Sequence, residues 1–221
     1  MTDSPQNAPL QAVIIPVTAF EQNCTLLWCT KTMKGALVDA GGDLPKLKAE
    51  VARRGVTLDK LLVTHGHIDH CGQTGLLAAE LGLPIEGPQE EDRFWIEGLN
   101  DSGMRFGLEG ESFEPTRWLA DGDTVSVGEL VLDVIHCPGH TPGHVVFYHA
   151  PSRLALVGDV LFAGSIGRTD FPRGNHAQLI DSITHKLWPL GKDVTFVPGH
   201  GPCSTFGHEM LTNRFVGSRF G

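Results

Sequence analysis

One recurrence constrains the fold of this chain more than any other feature. An apolar segment runs straight into a glycine-flanked turn that carries histidine or aspartate, and it does so four times. "KLLV" leads into "THGHIDHCG" (64–72), "LVLDVIH" leads into "CPGHTPGH" (137–144), "RLALVG" ends at Asp159, and "DVTFV" leads into "VPGHG" (197–201). Side chains just beyond buried strands are held more firmly than those on long loops. His65, His67, Asp69 and His70 are crowded into consecutive or alternate positions. One ion cannot comfortably take all four side chains from so short a loop. Two adjacent ions can, with His65 and His67 on one and Asp69 and His70 on the other. His140, Asp159 and His200 supply further donors. Imidazole and carboxylate donors suit zinc, iron or manganese rather than calcium.

The segments between these turns alternate in type. "QAVIIPV", "CTLLWC" and "GALVDA" read as a meander of strands separated by turn residues. "LPKLKAEVARRG" reads as a helix closed by a C-terminal glycine, "GQTGLLAAELG" as a second, and "EEDRFWIEGL" as a third helical patch. From residue 124 come strands in "TVSVG", "LVLDVIH", "HVVFYHA" and "RLALVG". The helix "HAQLIDSITHKLWPL" follows, stopping near Pro189, and then the strand of "DVTFVPGHG". This order gives two similar halves, the first ending near residue 110, and suits two sheets with helices outside them. No repeat or linker marks a boundary, so residues 1–221 are expected to form one domain with 1–10 as a flexible N-terminus.

Charge and composition remove several function classes. A formal net charge of −9 argues against non-specific nucleic-acid binding, which needs clustered lysine and arginine. It argues equally against adsorption to anionic lipid. No apolar run approaches the roughly 20 residues that span a bilayer. The opening "MTDSPQNAPL" lacks the basic flank and apolar stretch of a signal peptide. The five cysteines, an odd number, are scattered without a disulfide framework. A reducing, cytoplasmic location is the expectation.

The set "THGHIDH", His140 in a Pro-Gly-His loop, Gly-Asp at 158–159 and a final Pro-Gly-His at 198–200 resembles the metallo-β-lactamase superfamily along nearly the whole chain. The resemblance implies a four-layer αββα sandwich with a metal site at one edge of the sheets. It assigns His65, His67 and His140 to one divalent ion and Asp69, His70 and His200 to another, with Asp159 bridging both. Asp39, in "LVDAGG", stands where the family uses an acid to orient a ligand histidine. Within the superfamily, "GSIGRTDFPRG", "PGHGPCST" and "TNRFV" look like the short glyoxalase II-like hydrolases. That implies hydrolysis of S-lactoylglutathione or a related acyl thioester, with zinc as the first expectation for the metal and iron or manganese compatible. No counterpart of the family's glutathione-gripping C-terminal helical region is expected from the residues up to Gly221. Arg168 falls where the family can place a basic substrate contact, with Asp170 beside it in place of an aromatic.

The chemistry expected of such a site is attack by a hydroxide shared between two metals, with Asp69 and Asp159 holding the catalytic ions. A small-molecule thioester is the expected partner, since a thiol leaves as thiolate without a strong acid. Persulfide dioxygenases share the fold and a "GRTDF" stretch, and there resemblance implies a single iron held by His65, His140 and Asp159. A β-lactamase or nuclease, and a metal-binding protein without catalysis, are the remaining alternatives. Cys71 and Cys137 read as small apolar fillers, and the four tryptophans as packing. His144 reads as an ordinary hydrogen-bonding residue or as support for a ligand.

Overall fold

The structure, a computed structural model, describes residues 9–218. The first half holds β1 (Leu10–Val17), β2 (Gln22–Cys29), β3 (Lys34–Val38), α1 (Leu44–Arg54), β4 (Thr57–Leu62), α2 (Ile68–Cys71), α3 (Thr74–Leu81), β5 (Ile85–Glu86), α4 (Arg93–Glu97) and α5 (Leu99–Phe106). The second half holds β6 (Thr124–Val127), β7 (Leu130–His136), β8 (Val145–His149), β9 (Leu154–Gly158), β10 (Leu161–Phe162), β11 (Ser165–Ile166), α6 (His176–Asp181), β12 (Thr195–Pro198), β13 (Ser204–Thr205) and α7 (Phe206–Thr212).

One sheet has the order β1-β2-β3-β4-β5 and the other β13-β12-β9-β8-β7-β6. The meander β1-β2-β3 is antiparallel, whereas β3 and β4 run parallel, as their connection through α1 demands. Period-two alternation explains the layering. In β2, Cys24, Leu26 and Trp28 point into a core shared with Leu47 of α1 and Leu77 of α3. Leu27 and Cys29 point the other way, against Val125, Leu132 and Phe147 of the second sheet. In β8, Val145 and Phe147 join that central core, while Val146 and Tyr148 face Leu179 of α6 and Phe206 of α7. Both sheets are therefore covered on both faces at their centres, while β6 and the first part of β7 expose alternate side chains, and the αββα layering follows from sequence alternation.

Three details depart from expectation. Leu10 is only 6% exposed and pairs with Cys29, so order begins before the end of the proposed flexible segment; residues 1–8 lie outside the described residues. The segment 176–190 is not one α-helix: it passes from α6 into a π-helical turn over Ser182–Leu187 and a 3₁₀ turn over Trp188–Leu190. Helices α5 and α7, the short strands β5 and β13 and the β10–β11 hairpin had no reading in the sequence pattern. The hairpin is two residues a side, too short to show alternation.

Candidate metal centre

Every expected donor comes to the same edge of the two sheets. The β4 strand delivers Val63 and Thr64 into the buried core, and the chain turns through His65–His67 into the single turn of α2, which presents Asp69 and His70. His140 sits between β7 and β8, Asp159 follows β9, and His200 follows β12. The Nε2 atoms of His65 and His140 lie 3.1 and 3.0 Å from His67 Nδ1, forming one group of three donors. Asp69, His70 and His200 form a second, with His200 Nε2 3.1 Å from Asp69 Oδ2. Asp159 stands between them: its Oδ1 is 3.3 Å from His70 Nε2 and its Oδ2 is 3.5 Å from His140 Nε2.

On four of the five donor rings, His67 being the exception, the far side fixes which nitrogen carries the proton. His140 Nδ1 donates to the Arg168 carbonyl at 2.7 Å, and His200 Nδ1 to the Phe20 carbonyl at 3.1 Å. His70 Nδ1 donates to Asp39 Oδ2 at 2.9 Å. Thr64 gives its hydroxyl proton to the same Asp39 oxygen, so it accepts from His65 Nδ1 at 3.0 Å. Four Nε2 atoms are thereby left facing inward, each offering a lone pair once its ring is neutral, an arrangement that suits metal ligation. Among the described residues, His70 Nε2 and Asp159 Oδ1 are buried without a hydrogen-bond partner. Histidine lone pairs converging beside unpartnered carboxylate oxygen are what two cations would satisfy, so the residues present fit a pair of divalent ions.

The buried histidines divide by their neighbours. Burial, reinforced by neighbouring histidines, pushes His65 and His67 well below the ordinary imidazole value. Burial also opposes charge on His70, but Asp159, Asp69 and Asp39 outweigh it and raise that ring well above the ordinary value. Burial resists ionisation of Asp159, yet His70, His140 and His200 hold it far below the usual carboxylate range. Asp69 is lowered in the same way, against burial, by His70 and His200. Asp39 adopts φ 60°, a left-handed conformation that aspartate tolerates better than most residues, and this turns its carboxylate toward Thr64 and His70. The fit is close enough that a Cβ at Gly199 would overlap Asp159 Oδ1 and the His70 ring.

Residues outside the expected donor set complete the centre. Asp92, 0% exposed, accepts from Gly66 N at 2.9 Å, Thr141 Oγ1 at 2.7 Å and Gly143 N at 2.6 Å, tying the His65–His67 loop to the His140 loop. Burial pushes its carboxyl up to about 6 against those hydrogen bonds. His144 stacks on His65 at 4.6 Å and accepts the Asp159 N–H at 3.1 Å. Trp95 and Phe171 pack edge-on against His67 and line a cleft of about 920 Å³ that opens onto both donor groups. Cys71 and Cys137 are buried thiols whose pKa is raised by burial, that of Cys137 to about 12, and neither joins a donor group. Arg168 also lines the cleft, but Asp170 takes two of its N–H donors at 2.7 and 2.6 Å.

The family model described as the Metallo-beta-lactamase superfamily matches residues 17–200. A hydroxyacylglutathione hydrolase named GloC, from Haemophilus influenzae, is 42% identical, covering 93% of this chain and 98% of its own. The crystal structure of the BLEG-1 B3 metallo-beta-lactamase superposes with a TM-score of 0.86 at 32% identity, over 93% of this chain and 99% of the other. That of TTHA1623 in a di-iron-bound form gives 0.83 at 32% identity, over 92% and 99%. Among the described residues, no helix is long and apolar enough to cross a membrane.

Proposed function

Because the chain belongs to the metallo-beta-lactamase superfamily, we propose that it is a two-metal thioester hydrolase acting on S-lactoylglutathione or a related small acyl thioester. The observation that carries this reading is the pair of donor groups with Asp159 between them. His65, His67 and His140 would hold one ion and Asp69, His70 and His200 the other, with zinc the first choice. Divalent ions held there would supply water activation, lowering the pKa of a bound water from 15.7 to about 7, and would stabilise charge on an acyl oxygen.

The chain's own residues favour a thiol leaving group over an amine. Asp69 and Asp159 face the cleft and are held ionised, so neither is a proton donor at neutral pH. Asp170 is likewise lowered to about 2 by Arg168. A thiol of pKa about 8.5 departs as thiolate without a donor; an amide nitrogen needs one. The net reaction is thioester plus water giving carboxylic acid and thiol. A GloC-named relative at 42% identity supports the same choice. The single-iron dioxygenase reading uses only His65, His140 and Asp159, and leaves the complete group of Asp69, His70 and His200 without a purpose.

The test is release of free thiol from S-lactoylglutathione by purified protein loaded with zinc, iron or manganese, alongside a β-lactam and glutathione persulfide. Thiol release with two ions per chain is the expected result. Oxygen uptake on the persulfide with one iron per chain, and no thioester cleavage, would overturn it.

A further inference from the structure

The cleft above the metal centre holds two arginines in opposite states. Arg168 is spent on Asp170 through two short hydrogen bonds, and its guanidinium also lies 4.4 Å from the Phe171 ring centre. Arg105 lines the same cleft from α5. Its guanidinium rests 5.5 Å from the Phe106 ring centre, and among the described residues it has no carboxylate within ion-pair distance. One helical turn earlier on the same wall, Asp101 likewise has no ion-pair partner among the described residues, and Ser102 adds a hydroxyl. Asp and Arg at i and i+4 ordinarily draw together. Here they stay apart and line the cleft with opposite charges.

Resting on the hydrolase reading, the geometry points to the face of α5 bearing Asp101, Ser102 and Arg105 as a head-group subsite for the thiol part of the substrate. The chemistry it fits is a zwitterionic α-amino acid end, with the carboxylate on Arg105 and the ammonium on Asp101. An arginine fork binds a carboxylate through two N–H donors. The γ-glutamyl end of a glutathione thioester has this chemistry. The flanking rings of Phe20 and Phe106, in edge contact at 6.4 Å, give the rest of the thiol arm an apolar wall. This assigns anion recognition to Arg105 rather than to Arg168, and it needs no additional C-terminal region.

The experiment compares wild type, Arg105→Gln and Asp101→Asn on three probes. Two are lactoyl thioesters, of glutathione and of N-acetylcysteamine, which lacks both head-group charges. The third is S-hexylglutathione, a thioether that cannot be hydrolysed, with binding measured by calorimetry. The expected result is a roughly 5- to 20-fold rise in KM for the glutathione thioester and a similar loss of S-hexylglutathione affinity. The N-acetylcysteamine thioester should suffer far less, and metal content should hold. Equal losses on both thioesters, or unaltered thioether binding, overturn the subsite. If wild type cleaves neither thioester while the variants still lose thioether affinity, the hydrolase reading fails and the subsite stands. If wild type cleaves the N-acetylcysteamine thioester but does not bind S-hexylglutathione, the subsite fails and the hydrolase reading stands.

Discussion

The two halves of the molecule build their shares of the metal centre in opposite ways. The first half concentrates its donors in one stretch, His65 to His70, behind a single buried strand. The second half spreads His140, Asp159 and His200 over three loops after three different strands. The first half's loop is backed by Asp39, which hydrogen-bonds His70 directly and His65 through Thr64. The second half's loops are held largely by the first: Asp92 grips the His140 loop, the Thr64 carbonyl accepts from Val145 N, and Asn23 Nδ2 donates to the carbonyls of Pro198 and Gly201 beside His200. A concentrated site needs support from behind, whereas a dispersed site needs clamps across the seam between sheets.

Four substitutions would break or sharpen that contrast. The largest effect is expected from Asp159→Asn, since this side chain faces both donor groups. The kcat/KM on a thioester should fall by about a thousandfold or more, comparable to loss of a principal electrostatic group in other hydrolases. Elemental analysis should find fewer than two ions per chain; retention of both ions with near-normal activity would refute a shared role.

His200→Ala comes next. His200 is the most exposed donor, with its side chain 30% accessible, and it serves only the second group. Roughly a hundredfold loss of activity with one tightly held ion remaining is the expected outcome, read by metal titration. Loss of both ions would show that the groups cannot load separately.

Asp39→Asn tests the support behind the concentrated loop. The variant keeps the shape but weakens the acceptor for His70 and Thr64, and partners behind ligand histidines typically matter by about 10- to 100-fold in metal affinity. Competition with a chromophoric chelator measures it, and an unaltered affinity would remove Asp39 from the site.

Asp92→Asn tests the clamp across the seam. An amide nitrogen would have to face a backbone N–H from Gly66 or Gly143, at a cost of about 1–3 kcal/mol in stability. Thermal or urea unfolding should register this in the metal-free protein. At neutral pH the ion stoichiometry should stay at two, because Asp92 touches no donor atom.

The same contrast explains what the sequence disclosed. The donors were legible because each follows an apolar run and lies beside glycine or proline, so local pattern alone marks them. Asp39 was legible from "LVDAGG" only through family resemblance, because its partner His70 lies far along the chain. Asp92 was not legible: in "EEDRFW" it is one of three adjacent acids on what looks like a solvated helix, and its partners Thr141 and Gly143 belong to the other half. Trp95 was read as packing because its contact with His67 crosses between elements. Helix α5 was missed because Gly103 interrupts it; a side chain there would press on the Leu108 carbonyl. The sequence also pointed to Arg168 for substrate contact, where the structure shows a guanidinium already occupied by Asp170.

The crowding of His65, His67, Asp69 and His70 has a consequence for the unfolded chain. Those four donors remain neighbours when everything else has come apart, so the denatured or newly made polypeptide is itself a chelator. His140, Asp159 and His200 are not, because nothing gathers them until β7, β8, β9 and β12 have paired into the second sheet. Binding to the unfolded chain subtracts from the stability that binding to the native chain contributes. The gain in unfolding free energy with rising metal concentration should therefore fall short of what the native affinities alone dictate. Excess metal during synthesis would hold the "THGHIDH" segment in a local, non-native chelate before its partners from the second half arrive.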